Sequence, residues 1–175
     1  MTTQWKLDPV HCHVQFSVRH VMVSNVKGVF SKVTGTVSLD EADFTRSRVE
    51  VEMDATSLDT REPQRDAHLK SADFLDVEKF PTLKFRSTRI VPEGEGYSMQ
   101  GDLTIHGVTH PVKLAVEAPT PVAKDPWGGV RRGFEAHGEL NRKDFGLAWN
   151  QALETGGVLV GDKVKITLEI ELLQT

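Results

Sequence analysis

The sequence predicts an all-β fold in which about eight antiparallel strands close into a barrel with one short inserted helix. Apolar residues recur at every second position along most of the 175-residue chain, as in strands with one buried face. Only one stretch has helical spacing instead. No linker, repeat or low-complexity tract interrupts the chain, so residues 1–175 are predicted to form a single domain.

The strand predictions rest on the alternation of apolar and polar side chains. Val14, Phe16 and Val18 alternate with polar residues, and the last run, 164–172, is the clearest. The first run ends in Pro9 and is predicted to be an edge strand, because proline cannot donate to a neighbouring strand. The predicted strands cover residues 5–9, 14–18, 29–39, 49–53, 83–90, 97–105, 111–116, 134–140 and 164–172.

The single helical stretch begins near Thr60 and ends before Pro81. Leu69 follows Arg65 by four residues, which is the spacing of neighbours on a helix surface. Thr60 is predicted to be the N-cap, and Pro63 lies in the first turn, where proline is tolerated. We expect this helix to cover one end of the barrel.

Two further stretches are predicted to be loops. Residues 119–129 are rich in proline and glycine, and Trp127 within them is expected to pack against the barrel. Residues 141–157 show no clean period, and long loops in compact domains are often functional.

Composition narrows the classes of function. The formal net charge of −4 argues against nonspecific nucleic-acid binding, which requires a basic surface. No apolar run approaches the roughly 20 residues that a membrane-spanning helix needs. The single cysteine, Cys12, forbids an internal disulfide. No signal peptide is visible, which favours a cytoplasmic location for the chain as given.

Stretches distributed from end to end carry a family likeness. They lie at residues 5–11, 14–20, 28–30, 57–60, 65–71, 73–77, 80–81, 101–109 and 141–146. With these segments in this order, the chain resembles the YceI-like, or polyisoprenoid-binding, family. One departure is Cys12, which stands where the family pattern usually has serine.

The resemblance implies an extended, lipocalin-like antiparallel barrel. It implies an apolar pocket that binds a long-chain isoprenoid or similar amphiphilic lipid, such as a polyprenyl pyrophosphate or an isoprenoid quinone, for carriage, storage or sensing. The lipid is the expected ligand, and no other cofactor is expected. The resemblance also implies a homodimer and transient contact with a membrane, and many relatives are periplasmic.

The tail of such a lipid has no polar groups, so aliphatic and phenyl side chains should line its pocket. Alternating positions on the predicted strands supply these side chains, and for each of them the alternative is ordinary core packing. The candidate lipid-binding residues are Val14, Phe16, Val18, Phe30, Val33, Leu83, Phe85, Leu103, Phe134, Phe145 and Leu147.

A charged or polar head group needs polar partners, and arginine forks suit phosphate oxygens. The alternative is that Arg65 with Asp66, and Arg142 with Asp144, form internal ion pairs that hold the helix and the late loop to the barrel. The head-group candidates are His20, Arg65, Asp66, His68, Arg142 and Asp144.

The only tight cluster of metal ligands in the sequence is His11, Cys12 and His13. In a strand the two histidines would face one way and the cysteine the other. That leaves two ligands, short of a usual zinc set, and no metal site is predicted.

A hydrolase would need a catalytic motif such as G-x-S-x-G or H-E-x-x-H, and the sequence has neither. Asp66, His68 and Ser71 contain the residue types of a triad, but a short helix cannot easily make all three converge. The chain is therefore predicted to be a binding protein and not an enzyme. The alternatives are an enzyme acting on an isoprenoid-type lipid and a structural dimer with a filled core.

Overall fold

In the computed structural model, which describes residues 1–175, twelve strands form one antiparallel sheet. The strands are β1 Thr2–Leu7, β2 His13–His20, β3 Ser24–Phe30, β4 Val33–Asp40, β5 Arg48–Asp54, β6 Leu58–Asp59, β7 Thr82–Glu93, β8 Gly96–Ile105, β9 Val108–Val116, β10 Ala123–Lys124, β11 Val130–Asn141 and β12 Val160–Gln174. One α-helix, α1 Pro63–Lys70, lies between β6 and β7.

The barrel closes through β12. This 15-residue strand pairs with β11 along one edge, while β1 and β2 share its other edge end to end. From β12 the ring runs through β1, β4, β5, β7, β8, β9 and β11 and returns to β12. These eight strands and the one helix confirm the predicted all-β, lipocalin-like barrel.

Beside the ring, the sheet continues from β12 through β2 and β3 to the two-residue strand β6, and α1 follows. The carboxylate of Glu62 caps α1, because it accepts hydrogen bonds from the N–H groups of Gln64 and Arg65. The prediction of Thr60 as the N-cap is wrong, since Thr60 is buried and its hydroxyl donates to Asp66. No helix in the structure is long and apolar enough to cross a membrane.

A single apolar core fills the end of the barrel where β1, β4 and β12 meet. Trp5, Val37 and Leu172 are almost completely buried there. The guanidinium of Arg132 lies over the Trp5 ring at 5.8 Å from its centroid, which covers the outer side of this end. We call it the closed end of the barrel.

Three further predictions about local structure are wrong. The first strand is not an edge, because β1 ends at Leu7 and pairs on both sides, while Pro9 lies in the turn beyond it. The run 29–39 is two strands, since a bend at 31–32 separates β3, which pairs with β2 and β6, from β4, which pairs with β1 and β5. Trp127 is 87% exposed, because Asp125 accepts the N–H groups of Trp127 and Gly129 and holds the indole on the outside of a tight turn.

Candidate ligand-binding cavity

The barrel encloses a cavity of about 480 Å³, within the size range of small-molecule sites. Hydrophobic residues make up 32 of the 39 residues that line it. They come from most strands of the ring, from β2, β3 and α1, and from the loop between β11 and β12. The interior of the barrel is therefore suited to an apolar guest.

The apolar wall of the cavity arises because successive side chains of a strand point to opposite faces of the sheet. Along β12, Val164, Ile166 and Leu168 face the cavity, while the residues between them are exposed on the outer face. The lining of this strand extends from Val160 to Ile170, which is roughly 33 Å along the strand at about 3.3 Å per residue. The cavity is thus elongated along the barrel.

Most of the predicted apolar candidates line this cavity. The lining includes Val14, Phe16, Val18, Phe30, Leu83, Phe85, Leu103, Phe134 and Leu147. Val33 and Phe145 do not line it and are buried in the surrounding core, where they are 2% and 0% exposed. Contact between the nine lining residues and a ligand stays a prediction.

Further lining residues were not predicted as site residues. Those on strands share the same alternation, so the sequence held a signal for them. Trp149 lies in the aperiodic loop 141–157 and Leu159 follows that loop, and neither had such a signal. The added strand residues include Val49, Val51, Met53, Met99, Ile105, Val112, Leu114, Val116, Ala136, Leu140, Val164, Ile166, Leu168 and Ile170.

The cavity reaches the surface at the end opposite the closed end. Arg19 and Gln64 line it and are exposed, while Trp149 and Leu159 line it and are half-buried. These residues come from the end of β2, from α1 and from the loop between β11 and β12. We call this opening the mouth. The prediction that α1 covers one end of the barrel agrees with this position.

The charge of the lining has one sign. None of the 39 lining residues is acidic, whereas Arg19, Arg65 and Arg142 are among them. Arg65 donates from Nε to the Thr60 hydroxyl at 2.8 Å and from Nη2 to the Thr60 carbonyl at 2.7 Å. Its Nη1 has no hydrogen-bond partner in the chain, and the guanidinium forms no ion pair. Arg65 therefore keeps donors available beside the cavity.

Arg142 is placed differently, because it is 2% exposed and bonded to the backbone. Its guanidinium donates to the carbonyl oxygens of Leu147, Trp149 and Gly161 at 2.6–2.9 Å. Asp162 lies 3.6 Å away. Burial lowers the pKa of Arg142, and the charge of Asp162 opposes that shift. Arg142 thus fastens the loop between β11 and β12, and few of its donors remain for a head group.

The other head-group candidates do not form one site. His20 and His68 line the cavity, whereas Asp66 and Asp144 do not. The predicted pairs of Arg65 with Asp66 and Arg142 with Asp144 are not formed. Asp66 accepts from Thr60, and Asp144 lies 3.8 Å from His110.

A catalytic triad is not assembled on α1. The Nε2 atom of His68 lies 2.9 Å from an oxygen of Asp73. The Ser71 hydroxyl donates to the backbone carbonyl of His68, and Asp66 is bonded to Thr60. The His68 ring also packs edge-on against Trp149, at 4.6 Å between centroids, so the side chain forms part of the mouth wall.

The three-residue cluster of possible metal ligands does not have the predicted strand geometry. His11 lies in the turn before β2, and only His13 belongs to the strand. Cys12 is buried, and burial raises the pKa of its thiol, which disfavours the thiolate that binds metals. His11 instead lies beside Asp8 and Glu171, and the Arg131 guanidinium donates to both of these carboxylates.

The ion pairs that Arg131 and His11 form with Asp8 predict that the stability of the fold depends on pH. Hydrogen bonds from Arg131 and His11 lower the pKa of Asp8 from 3.8 to about 2. Because the folded state holds the proton more weakly, the stabilisation is present above pH 3.8 and is lost as the pH falls through about 2. We expect Asp8→Asn to lower the free energy of unfolding by about 1–2 kcal/mol at pH 7, after allowance for solvent screening.

Urea unfolding at pH 7 and pH 2 measures this effect. The difference in stability between the wild type and Asp8→Asn should shrink at the lower pH, because the wild type loses the same interaction there. Parallel pH profiles for the two proteins would contradict the assignment.

An eight-stranded barrel around an apolar cavity is the lipocalin-like architecture. The sequence model of the YceI-like domain matches residues 5–172 of this chain. The chain therefore belongs to the YceI-like family.

Similar proteins agree with this assignment. A UPF0312 protein of Serratia proteamaculans is 40% identical over 149 residues, which cover 84% of this chain and 77% of that protein. The crystal structure of BcnA from Burkholderia cenocepacia has a TM-score of 0.79 at 23% identity, covering 94% of this chain and 98% of BcnA. A polyisoprenoid binding domain from Saccharophagus degradans has a TM-score of 0.69 at 11% identity and covers 98% of both chains.

Proposed function

We propose that this chain binds one long-chain isoprenoid or similar amphiphilic lipid, with the tail in the barrel and the head group at the mouth. The observation that carries the proposal is an elongated apolar cavity whose charged lining residues are all basic. The polyisoprenoid binding domain of Saccharophagus degradans has the same fold, which supports the choice of lipid class. A polyprenyl pyrophosphate fits the basic mouth, and an isoprenoid quinone fits the apolar wall alone.

The energetics favour carriage between apolar environments. Burying a methylene group stabilises by ~0.8 kcal/mol, so a tail of about 20 carbons gains ~16 kcal/mol on leaving water. This value is near the ceiling for noncovalent affinity. The same tail gains almost nothing on leaving a bilayer, because the bilayer interior is already apolar. Exchange with a membrane can then be reversible, and selectivity rests on pocket length and on the head group.

Native mass spectrometry of the purified protein, followed by organic extraction, tests the proposal. We expect one lipid molecule per chain, or the uptake of one added polyprenyl pyrophosphate or quinone. Failure to bind either added lipid would contradict the proposal. Release of free phosphate from an added polyprenyl pyrophosphate would favour an enzyme.

The family resemblance also favours a homodimer. Sedimentation at micromolar concentration tests this, and a clean monomer mass would contradict it.

Arg65 is the head-group residue that this proposal makes most important. We expect Arg65→Ala to weaken binding of a polyprenyl pyrophosphate by about tenfold, the order of one charge-assisted hydrogen bond. Binding of a quinone with the same tail should change little, because it presents no anionic group to the guanidinium. Titration of both lipids against the variant measures the difference.

Arg89→Ala is the matched control for charge. Arg89 is exposed on β7 and does not line the cavity, so its removal lowers the net charge by the same amount without altering the mouth. Equal losses for pyrophosphate and quinone in Arg65→Ala would remove Arg65 from the head-group site.

A further inference from the structure

The turn between β2 and β3 contains residue types that are unfavourable for its backbone conformation. Val21 and Met22 are its central residues, with φ of 44° and 62°. The Val23 N–H donates to the His20 carbonyl at 3.0 Å and closes the turn. Turns with two positive φ angles normally contain asparagine and glycine, and a β-branched residue there is a strained outlier. Such strain concentrates at functional sites.

The same turn exposes large apolar side chains to solvent. Met22 is 55% exposed and Val23 is 75% exposed. Val158, in the neighbouring loop, is 37% exposed. We call Val21, Met22, Val23 and Val158 the apolar tip.

The apolar tip adjoins the mouth of the cavity. The N–H of Val21 donates to the carbonyl of Leu159 at 2.9 Å, and Leu159 lines the cavity. Met22 lies against Gly157, where a Cβ atom would come within 3.1 Å of the Met22 Cγ. His20 lines the cavity and directly precedes the turn. A lipid that enters or leaves through the mouth therefore passes beside the apolar tip.

The surface around the tip is basic although the whole chain carries a formal charge of −4. Residues 9–39 contain no aspartate or glutamate, but they contain Arg19, Lys27 and Lys32. Arg19 donates to the Met22 carbonyl at 3.2 Å and forms no ion pair, so its charge lies next to the tip. Lys27 is opposite Ser17 in the β2–β3 ladder, and Ser17 is opposite Lys165 of β12.

Acidic residues also lie near this basic surface, and Glu139 is opposite Lys165 in the β11–β12 ladder and 3.4 Å from Lys163. Asp162 is paired with Arg142 and Lys143, which offset its charge. Glu154 lies in the loop before Val158 and is exposed. Arg19 and Lys27 form no ion pair, so their positive charge lies beside an apolar projection, which is the combination that binds the surface of an anionic bilayer.

We propose that the apolar tip docks the mouth of the barrel onto an anionic membrane, so that lipid passes between the bilayer and the cavity without crossing water. The proposal rests on the proposed lipid-binding function for its purpose, but the docking itself can be measured separately. Met22 and Val23 enter the interfacial region of the bilayer, while Arg19 and Lys27 contact anionic head groups.

Sedimentation with vesicles tests the docking. The probes are vesicles of phosphatidylcholine alone and vesicles of phosphatidylcholine mixed with phosphatidylglycerol. We expect the wild type to bind the anionic vesicles at low salt, and to bind the neutral ones much less. Equal binding to both kinds of vesicle, or binding to neither, would overturn the proposal.

The variant Val21→Asn/Met22→Gly separates docking from folding. Asparagine and glycine adopt positive φ angles more readily than valine and methionine, so the thermal stability of the variant should be unchanged or higher. We expect its partition onto anionic vesicles to fall by about tenfold or more, because it removes two apolar side chains from the tip. Val122→Asp is the control, since Val122 is an exposed apolar residue outside the cavity lining and should tolerate a charge without loss of vesicle binding.

Uptake of a polyprenyl lipid from detergent distinguishes failure of docking from failure of the proposed function. A tip variant that takes up lipid from detergent at the wild-type level but loads slowly from vesicles supports the proposal. If the wild type takes up no lipid from detergent, the proposed function fails, and the vesicle sedimentation still decides the docking. A tip variant that becomes monomeric while it keeps wild-type vesicle binding would assign the tip to a dimer interface and overturn the proposal.

Discussion

Replacement of Arg142 by alanine is expected to lower the free energy of unfolding by about 3–5 kcal/mol, because several buried carbonyl oxygens lose their donor at about 1–3 kcal/mol each. The substitution leaves the carbonyl oxygens of Leu147, Trp149 and Gly161 without their donor. It also leaves Asp162 without its buried partner, and the Asp162 Oδ1 atom has no hydrogen bond of its own. Each unsatisfied buried group adds a desolvation cost.

Urea unfolding of Arg142→Ala, Arg142→Lys and Lys143→Ala measures this effect. Lys143 is the matched control, because it also pairs with Asp162 but is largely exposed. Its replacement should change stability by less than about 1 kcal/mol, as for surface ion pairs generally. Arg142→Lys keeps the charge but loses the planar fork, and we expect an intermediate loss. Similar small losses in all three variants would contradict the role of Arg142 in fastening the loop.

The Arg142 contacts show why the head-group candidates could only partly be predicted. The sequence identifies a guanidinium beside an aperiodic loop, but it does not show which carbonyl oxygens the loop will turn inward. Asp162 lies 20 positions after Arg142, near the start of the last strand, so it was not recognised as the partner. Arg65 and Arg142 look alike in sequence, yet Arg65 keeps free donors, whereas backbone carbonyls take up most of the Arg142 donors.

The fold itself was predictable because alternation is a local property. The pattern in β12 assigns each residue from 164 to 172 to one face of a strand without knowledge of its neighbours. Pairing is not local, which is why β1 was predicted to be an edge although it pairs with β4 and with the distant end of β12. The break at 31–32 has neither glycine nor proline, so β3 and β4 were predicted as one strand.

Alternation also cannot distinguish a cavity wall from a solid core. Val33 and Leu83 both face inward on strands, but Leu83 lines the cavity and Val33 does not. The difference depends on how far the opposite walls are apart, which barrel closure determines. The prediction that Trp127 packs against the barrel was wrong for a related reason. The hydrogen bonds that Asp125 accepts determine the direction of the turn.

The cavity interior can be tested most directly at Leu168, which faces the cavity between Ile166 and Ile170. We expect Leu168→Trp to retain the fold, because the residue is only half-buried and the cavity has room for a larger ring. If the indole displaces about three methylene groups of the tail at ~0.8 kcal/mol each, binding weakens by ~2.4 kcal/mol, or about 50-fold. The longest chains should be lost first, because they need the full length of the cavity.

Thr167→Trp is the matched control, since Thr167 is the adjacent residue on the exposed outer face of the same strand. This variant carries the same ring in the same strand but leaves the cavity unchanged, so its lipid binding should equal that of the wild type. Competition between isoprenoid lipids of increasing length, read by native mass spectrometry, compares the two variants once thermal unfolding shows that both are folded. If Leu168→Trp and Thr167→Trp retained the same lipids in the same amounts, the interior of the barrel would not be the binding site.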